Sequence, residues 1–149
     1  MIIRQGRPEE RLALIALLRR ASLMNEPDRD WLLAHPDVID LPLAHLAQGR
    51  VIVAERPSRR AGLAVVLMRE DGEAELDGLF VEPDLWRTGV GRALLAAAEA
   101  KAREAGAEVM RVVANPEARG FYEACGYRSV GEVATLFRPA LAMRKSLEP

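Results

Sequence analysis

The feature that most constrains this chain is a change of hydrophobic period inside one continuous stretch. Residues 50–55 contain Val-Ile-Val and read as a strand, and residues 61–68 read as its antiparallel partner after the Pro57-Ser58-Arg59-Arg60 turn. Asp71-Gly72 is a two-residue hairpin signal, so residues 73–81 fold back against that strand. After Pro83 the spacing becomes helical. Val90, Leu94, Leu95, Ala98 and Ala102 share one face, Glu99, Lys101, Arg103 and Glu104 lie largely off it, and Gly106 stops the helix where left-handed backbone is favoured. A strand meander that feeds an amphipathic helix buries that stripe by laying the helix on the sheet. Gly89 and Gly91 stand at the handover.

The flanking segments extend the pattern. Residues 2–4 form a first strand, and Pro8-Glu9-Glu10 opens a helix that Leu12, Ile15 and Leu18 carry to about Ala21. Residues 25–48 break into short helical pieces around Pro27, Pro36 and Pro42. Residues 108–114 read as a buried strand, and Asn115-Pro116 caps and starts a helix that runs to about Cys125 before Gly126. Residues 127–136 and 140–147 close the chain as two strands. The expected class is α/β (α+β): a mixed, largely antiparallel sheet of about seven strands flanked by about four helices, in one domain over residues 1–149.

Charge and cysteine usage narrow the function. With 21 Lys and Arg against 22 Asp and Glu, the chain lacks the global field that nucleic acid or an anionic membrane exploits, so neither partner is expected. A single cysteine, Cys125, excludes an internal disulfide, and His35 and His45 fall in no metal-ligand spacing, so no metal is expected. No signal-peptide-like or bilayer-length apolar run is visible, and a cytoplasmic protein is expected.

A diphosphate needs several convergent N–H donors and close backbone approach. Gly89 and Gly91, just before the free N–H groups and positive dipole end of a helix, offer both, with Arg87 and Arg92 adding charge. A two-glycine loop can also simply turn the chain. No Gly-Lys-Ser/Thr follows, which excludes a P-loop, and Ala93 and Leu94 occupy the third-glycine region of a dinucleotide fingerprint. The run Glu75-Leu-Asp-Gly-Leu-Phe-Val-Glu-Pro83, followed by Trp86-Arg-Thr-Gly-Val-Gly-Arg-Ala-Leu-Leu95, resembles the acetyl-CoA-binding motif of the GNAT acetyltransferase superfamily. Independently, Asn115-Pro-Glu-Ala-Arg-Gly-Phe-Tyr-Glu-Ala-Cys-Gly-Tyr127 resembles that family's Asn-x-x-Ala-x-x-Phe-Tyr-x-x-x-Gly-Phe signature.

The resemblance implies a GNAT-like acyltransferase fold and acetyl-CoA as co-substrate. It assigns cofactor contacts to Leu79, Phe80, Val81, Arg87, Thr88, Gly89, Val90, Gly91, Arg92, Asn115 and Tyr122. It also implies that the strand of residues 79–81 leaves its backbone free to pair with the pantetheine arm and points an N–H near Val81 at the thioester carbonyl. Trp86 departs from the family's usual Gln or Arg, so that side-chain contact is lost or moves to Arg87.

Acetyl transfer needs a neutral amine, a polarised carbonyl and a proton for the departing thiolate. Tyr122 occupies the family's general-acid position; by residue type alone it can equally be an aromatic packed beside Phe121. Glu75 and Asp77 share one face of their strand as candidate bases; the alternative is that Glu73 and Glu75 are solvent-facing strand residues. Asn115 contacts the cofactor or merely caps a helix. Glu26, Asp28, Asp30, Asp37 and Asp40 against Arg29 make an acidic segment, either a wall favouring a cationic amine or a solvated surface. The expected reaction is direct transfer from acetyl-CoA to a primary amine in a ternary complex, with a small-molecule acceptor. A protein lysine or N-terminus is an alternative acceptor, a non-catalytic acyl-CoA sensor an alternative function, and the closing strands offer a homodimer surface.

Overall fold

The computed structural model describes residues 1–148. Its strands are β1 (Ile2–Gln5), β2 (Val51–Arg56), β3 (Arg59–Met68), β4 (Ala74–Val81), β5 (Val109–Ala114), β6 (Arg128–Val133) and β7 (Ala140–Ser146). They form one seven-stranded sheet in the order β1-β2-β3-β4-β5-β7-β6. Five α-helices accompany it: α1 (Arg11–Leu23), α2 (Glu26–Ala34), α3 (Leu43–Ala47), α4 (Val90–Glu104) and α5 (Arg119–Ala124). The mixed α/β class and the element order are as the sequence pattern requires, with one more helix than expected, because residues 43–47 complete an α-turn after Pro42. No helix among the described residues is long and apolar enough to cross a membrane.

The chain divides into two compact units. The first comprises Met1–Val65 and Gly78–Ala97. Here β1 runs antiparallel to β2 (Ile3↔Ala54), and β2 antiparallel to β3 (Val53↔Leu63). Leu14, Leu17, Val51, Val53, Leu63, Val90, Leu94 and Leu95 are fully buried. The stripe of α1 differs from the expected one: Leu14, Leu17, Leu18 and Ala21 are buried, while Leu12 is 77% exposed. Both series have helical spacing, and a run this rich in leucine and alanine leaves packing to choose between faces. The first turn is locked by Glu10, 3% exposed, which accepts a bidentate fork from Arg4 (2.8 and 2.8 Å), the Arg7 backbone N–H (2.9 Å) and a bond from Arg60.

The second unit comprises Val66–Asp77 and residues 98–148. Asp71-Gly72 closes the β3–β4 hairpin, with Gly72 at φ +85° and the Arg69 N–H donating to the Glu73 carbonyl at 2.8 Å. β4 then runs parallel to β5 over Ala74↔Met110, Glu75↔Arg111 and Leu76↔Val112, while β7 is antiparallel to both β5 and β6. Strand β6 stops at Val133, short of the expected residue 136, after a register shift between Ser129 and Gly131. Glu99 is not off the buried face of α4 as expected. It is 6% exposed, accepts the Tyr127 hydroxyl at 2.8 Å, and pairs with Lys145 Nζ at 3.0 Å. Two donors replace its lost hydration, and this permits a carboxylate in that position.

Candidate active site

The cradle lies in the first unit, where β4 hands over to α4. After Val81 the chain makes a 3-10 turn over Pro83–Leu85, turns left-handed at Arg87 (φ +66°) and again at Gly89 (φ +92°), and enters α4 at Val90. The left-handed value at Gly89 is free for glycine, whereas at Arg87 it is a strained conformation for a side-chain-bearing residue. The first i to i−4 bond of α4 runs from the Ala93 N–H to the Gly89 carbonyl at 3.0 Å. The N–H groups of Val90, Gly91 and Arg92 therefore have no intrahelical acceptor and converge at the positive end of a four-turn dipole. A Cβ built on Gly89 meets no atom within 4 Å, so the space beside the loop is open to a ligand. Among the described residues, neither Arg87 nor Arg92 is paired with a carboxylate, and both are exposed.

The loop is held from several sides. Trp86, although 46% exposed, donates its indole N–H to the Val81 carbonyl at 2.8 Å, and the Thr88 hydroxyl donates to the Leu85 carbonyl at 2.5 Å. Buried Glu82 receives both arms of Arg20 (2.9 and 2.8 Å), and Asp84 both arms of Arg59 (2.8 and 3.0 Å). Gly62 lets β4 approach: a Cβ there would stand 2.6 Å from the Phe80 carbonyl oxygen and 2.9 Å from Leu94 Cδ1. Leu79, Phe80 and Val81 are half-buried on the last residues of β4. The Val81 carbonyl is thus engaged by the Trp86 indole.

The candidate acid, bases and Asn115 lie in the second unit. Tyr122, on α5, is 7% exposed and packs edge-on against Phe121 (ring centroids 5.1 Å) and Tyr127 (5.6 Å). Its hydroxyl makes no hydrogen bond among the described residues, yet no buried side-chain oxygen lacks a partner, so the oxygen reaches accessible surface. Burial, with a smaller push from Cys125, raises this phenol well above its ordinary value and keeps it protonated at neutral pH. Glu75 stands opposite Arg111 in the β4–β5 ladder, and Asp77 follows two residues on, exposed. Arg111 itself is bonded to Glu73 at 3.0 Å, so Glu73 belongs to an ion pair rather than to open solvent. Asn115 is exposed at the N-terminus of the 3-10 turn Pro116–Ala118 and its side chain makes no cap bond; only its backbone carbonyl holds the Ala118 N–H, at 2.9 Å. The capping explanation of this side chain therefore fails. Cys125 is a half-buried free thiol.

The model of the acetyltransferase (GNAT) family matches residues 16–127, three quarters of the chain and both motif regions. The chain belongs to the GNAT acetyltransferase family. No curated protein matches it in sequence. Solved GNAT structures share its fold throughout: the GCN5-related N-acetyltransferase from Rhodopseudomonas palustris is 22% identical with a TM-score of 0.80, covering 97% of this chain and 94% of its own. The PaiA N-acetyltransferase from Thermoplasma acidophilum, solved with coenzyme A, is 18% identical with a TM-score of 0.79, covering 97% and 98%. An aminoglycoside 6'-N-acetyltransferase, also solved with coenzyme A, is 17% identical with a TM-score of 0.76, covering 100% and 98%.

Within this GNAT chain, sequence reasoning missed three supports of the loop. Trp86 was legible only as a lost side-chain contact, whereas its indole N–H ties the loop to the end of β4. The Arg20–Glu82 pair joins residues 62 positions apart, and Gly62 carried no turn signal. Of the acidic segment, Asp40 is paired with Arg11 at 2.8 Å and Asp28 accepts the Asn25 amide at 2.8 Å. Glu26 and Asp30 are the other acids of α2. No cluster of His, Cys, Asp or Glu among the described residues could hold a metal ion.

Proposed function

We propose that this GNAT acetyltransferase transfers the acetyl group of acetyl-CoA to a primary amine, by direct attack in a ternary complex, and that the acceptor is a small cationic amine. The observation that carries the reading is the cradle: left-handed Arg87 and Gly89, open space beside Gly89, and three free N–H groups at the start of α4. These features suit the diphosphate of coenzyme A, with Arg87, Thr88 and Arg92 around it and Asn115 as a further cofactor contact. Leu79, Phe80 and the Val81 N–H serve the pantetheine arm and thioester.

The neutral amine attacks the thioester carbonyl carbon, a C–N bond forms and the C–S bond breaks. Tyr122 donates its proton to the departing thiolate; burial keeps the phenol protonated at neutral pH, and its hydroxyl has no hydrogen-bond partner among the described residues. The proton lost by the amine passes to water or to Glu75 or Asp77. Cys125 has no partner to activate it, which argues against an acyl-enzyme. The acids of α2 support a cationic acceptor.

A thiol-release screen of small diamines, amino sugars and lysine peptides with acetyl-CoA tests the reading. Release that depends on a small cationic amine and yields its acetylated product supports it. Preference for peptides would move the acceptor to protein, and tight coenzyme A binding with no release by any amine would leave a sensor.

A further inference from the structure

We infer that Arg56, on the hairpin between β2 and β3, is a further ligand of a cofactor phosphate. The inference rests on reading residues 87–92 as the coenzyme A cradle. β2 ends at Arg56, the chain reverses through Pro57 and Ser58 (φ +70°), and β3 begins at Arg59, so that Arg56 and Arg59 are directly paired across the hairpin. Two like charges in that relation are destabilising unless anions separate them.

Arg59 has such anions: it forks onto Asp84 at 2.8 and 3.0 Å and lies 3.7 Å from Glu82. Arg56 makes no hydrogen bond or ion pair with a carboxylate among the described residues, only a weaker electrostatic interaction with Asp84. Instead its Nη2 lies 3.4 Å from Thr88 Oγ1, the residue immediately before Gly89. That contact is too long to explain the placement by its own strength. The Thr88 hydroxyl gives its proton to the Leu85 carbonyl, so its lone pair faces the guanidinium. Arg56 is half-buried with most of its five donors uncommitted. Asp84 registers it, as a weaker influence than Arg59 in holding that carboxyl below its usual range.

A planar fork with spare donors, seated against Thr88 at the rim of a loop of free N–H groups, fits the bidentate recognition of a phosphate. Binding would give Arg56 the direct anion contact that Arg59 already has in Asp84. The strand pairing of β2 thereby places one donor of the site on a hairpin that neither family-like motif includes.

The test is calorimetric titration of the wild-type chain, Arg56→Ala and Arg56→Lys with coenzyme A and with dephospho-coenzyme A, which lacks the ribose 3'-phosphate. Arg56→Ala is expected to weaken coenzyme A binding by about tenfold, with Arg56→Lys intermediate. Because the substitution relieves a like-charge pair, the melting temperature should not fall. If the loss vanishes with dephospho-coenzyme A the contact is to the ribose phosphate, and if it persists the contact is to the diphosphate; both support the inference. Wild-type affinity in Arg56→Ala for both ligands overturns it. Absence of coenzyme A binding by the wild-type chain would instead overturn the cradle reading itself.

Discussion

Replacing Gly89 by alanine separates the two reasons a glycine can stand in this loop. At φ +92° an alanine is strained, and at such a position a Cβ costs about 1–2 kcal/mol of stability. The Cβ meets no protein atom within 4 Å, so no steric term adds to this. Gly72, in the β3–β4 hairpin, is the matched control: φ +85°, and again nothing within 4 Å of its Cβ. Gly89→Ala and Gly72→Ala should therefore lower the melting temperature alike, by roughly 2–8 °C for a chain of this size. They should part company in ligand binding. The Gly89 Cβ enters the space a diphosphate would occupy, and displacing the phosphate from the N–H groups of α4 by a fraction of an ångström removes at least one charge-assisted hydrogen bond. That corresponds to about a tenfold or larger rise in Kd for coenzyme A, and more for Gly89→Val. Gly72→Ala should leave Kd unchanged. Calorimetry at a temperature well below both melting points reads this directly. Equal affinity for Gly89→Ala and wild type, or an equal loss in Gly72→Ala, would refute the reasoning.

Tyr122→Phe keeps the ring contacts with Phe121 and Tyr127 and removes only the unbonded hydroxyl, so turnover should fall by roughly a hundredfold with acetyl-CoA affinity retained; steady-state kinetics with unchanged kcat would exclude the acid role. Trp86→Phe removes the 2.8 Å bond to the Val81 carbonyl and should raise KM for acetyl-CoA about fivefold with little change in kcat. A fall confined to kcat would instead assign Trp86 to the chemistry. Glu10 gives a pH prediction. The Arg4 fork, helped by Arg60 and the Arg7 N–H against the pull of burial, holds its carboxyl at about 2, below the ordinary 4.5. A depressed carboxylate stabilises the fold above its unfolded value, so this contribution, roughly 3 kcal/mol, is present above pH 4.5 and is lost as pH falls toward 2. Denaturant titrations of Glu10→Gln should show lower stability at pH 7 and a flatter acid limb; identical pH profiles would contradict the assignment.

What could be read from the sequence was local and periodic. Asp71-Gly72, the α4 stripe from Val90 to Ala102 and the left-handed stop at Gly106 depend on neighbours a few residues apart, and the structure carries all three. What could not be read depends on partners far along the chain. Nothing local distinguishes Glu99, a buried acceptor for Tyr127 and Lys145, from the exposed Glu104, because the difference lies in donors 28 and 46 residues away. The face of α1 was ambiguous for a related reason: leucines occupy both candidate stripes. In the candidate site, the glycines and Tyr122 stood out by motif. The Trp86 brace, the strain at Arg87 and the reach of Arg56 to Thr88 are products of backbone path, and no residue spacing encodes them.

The central claim is that coenzyme A is held by backbone N–H groups at the start of α4. The most direct measurement is a titration of isotope-labelled wild-type protein with coenzyme A, following assigned backbone amide resonances. The account predicts saturable shifts that are largest at Gly89, Val90, Gly91 and Arg92, with Arg87 and Thr88 next. Saturable binding whose largest shifts lie elsewhere, with the amides of residues 89–92 unmoved, would contradict it.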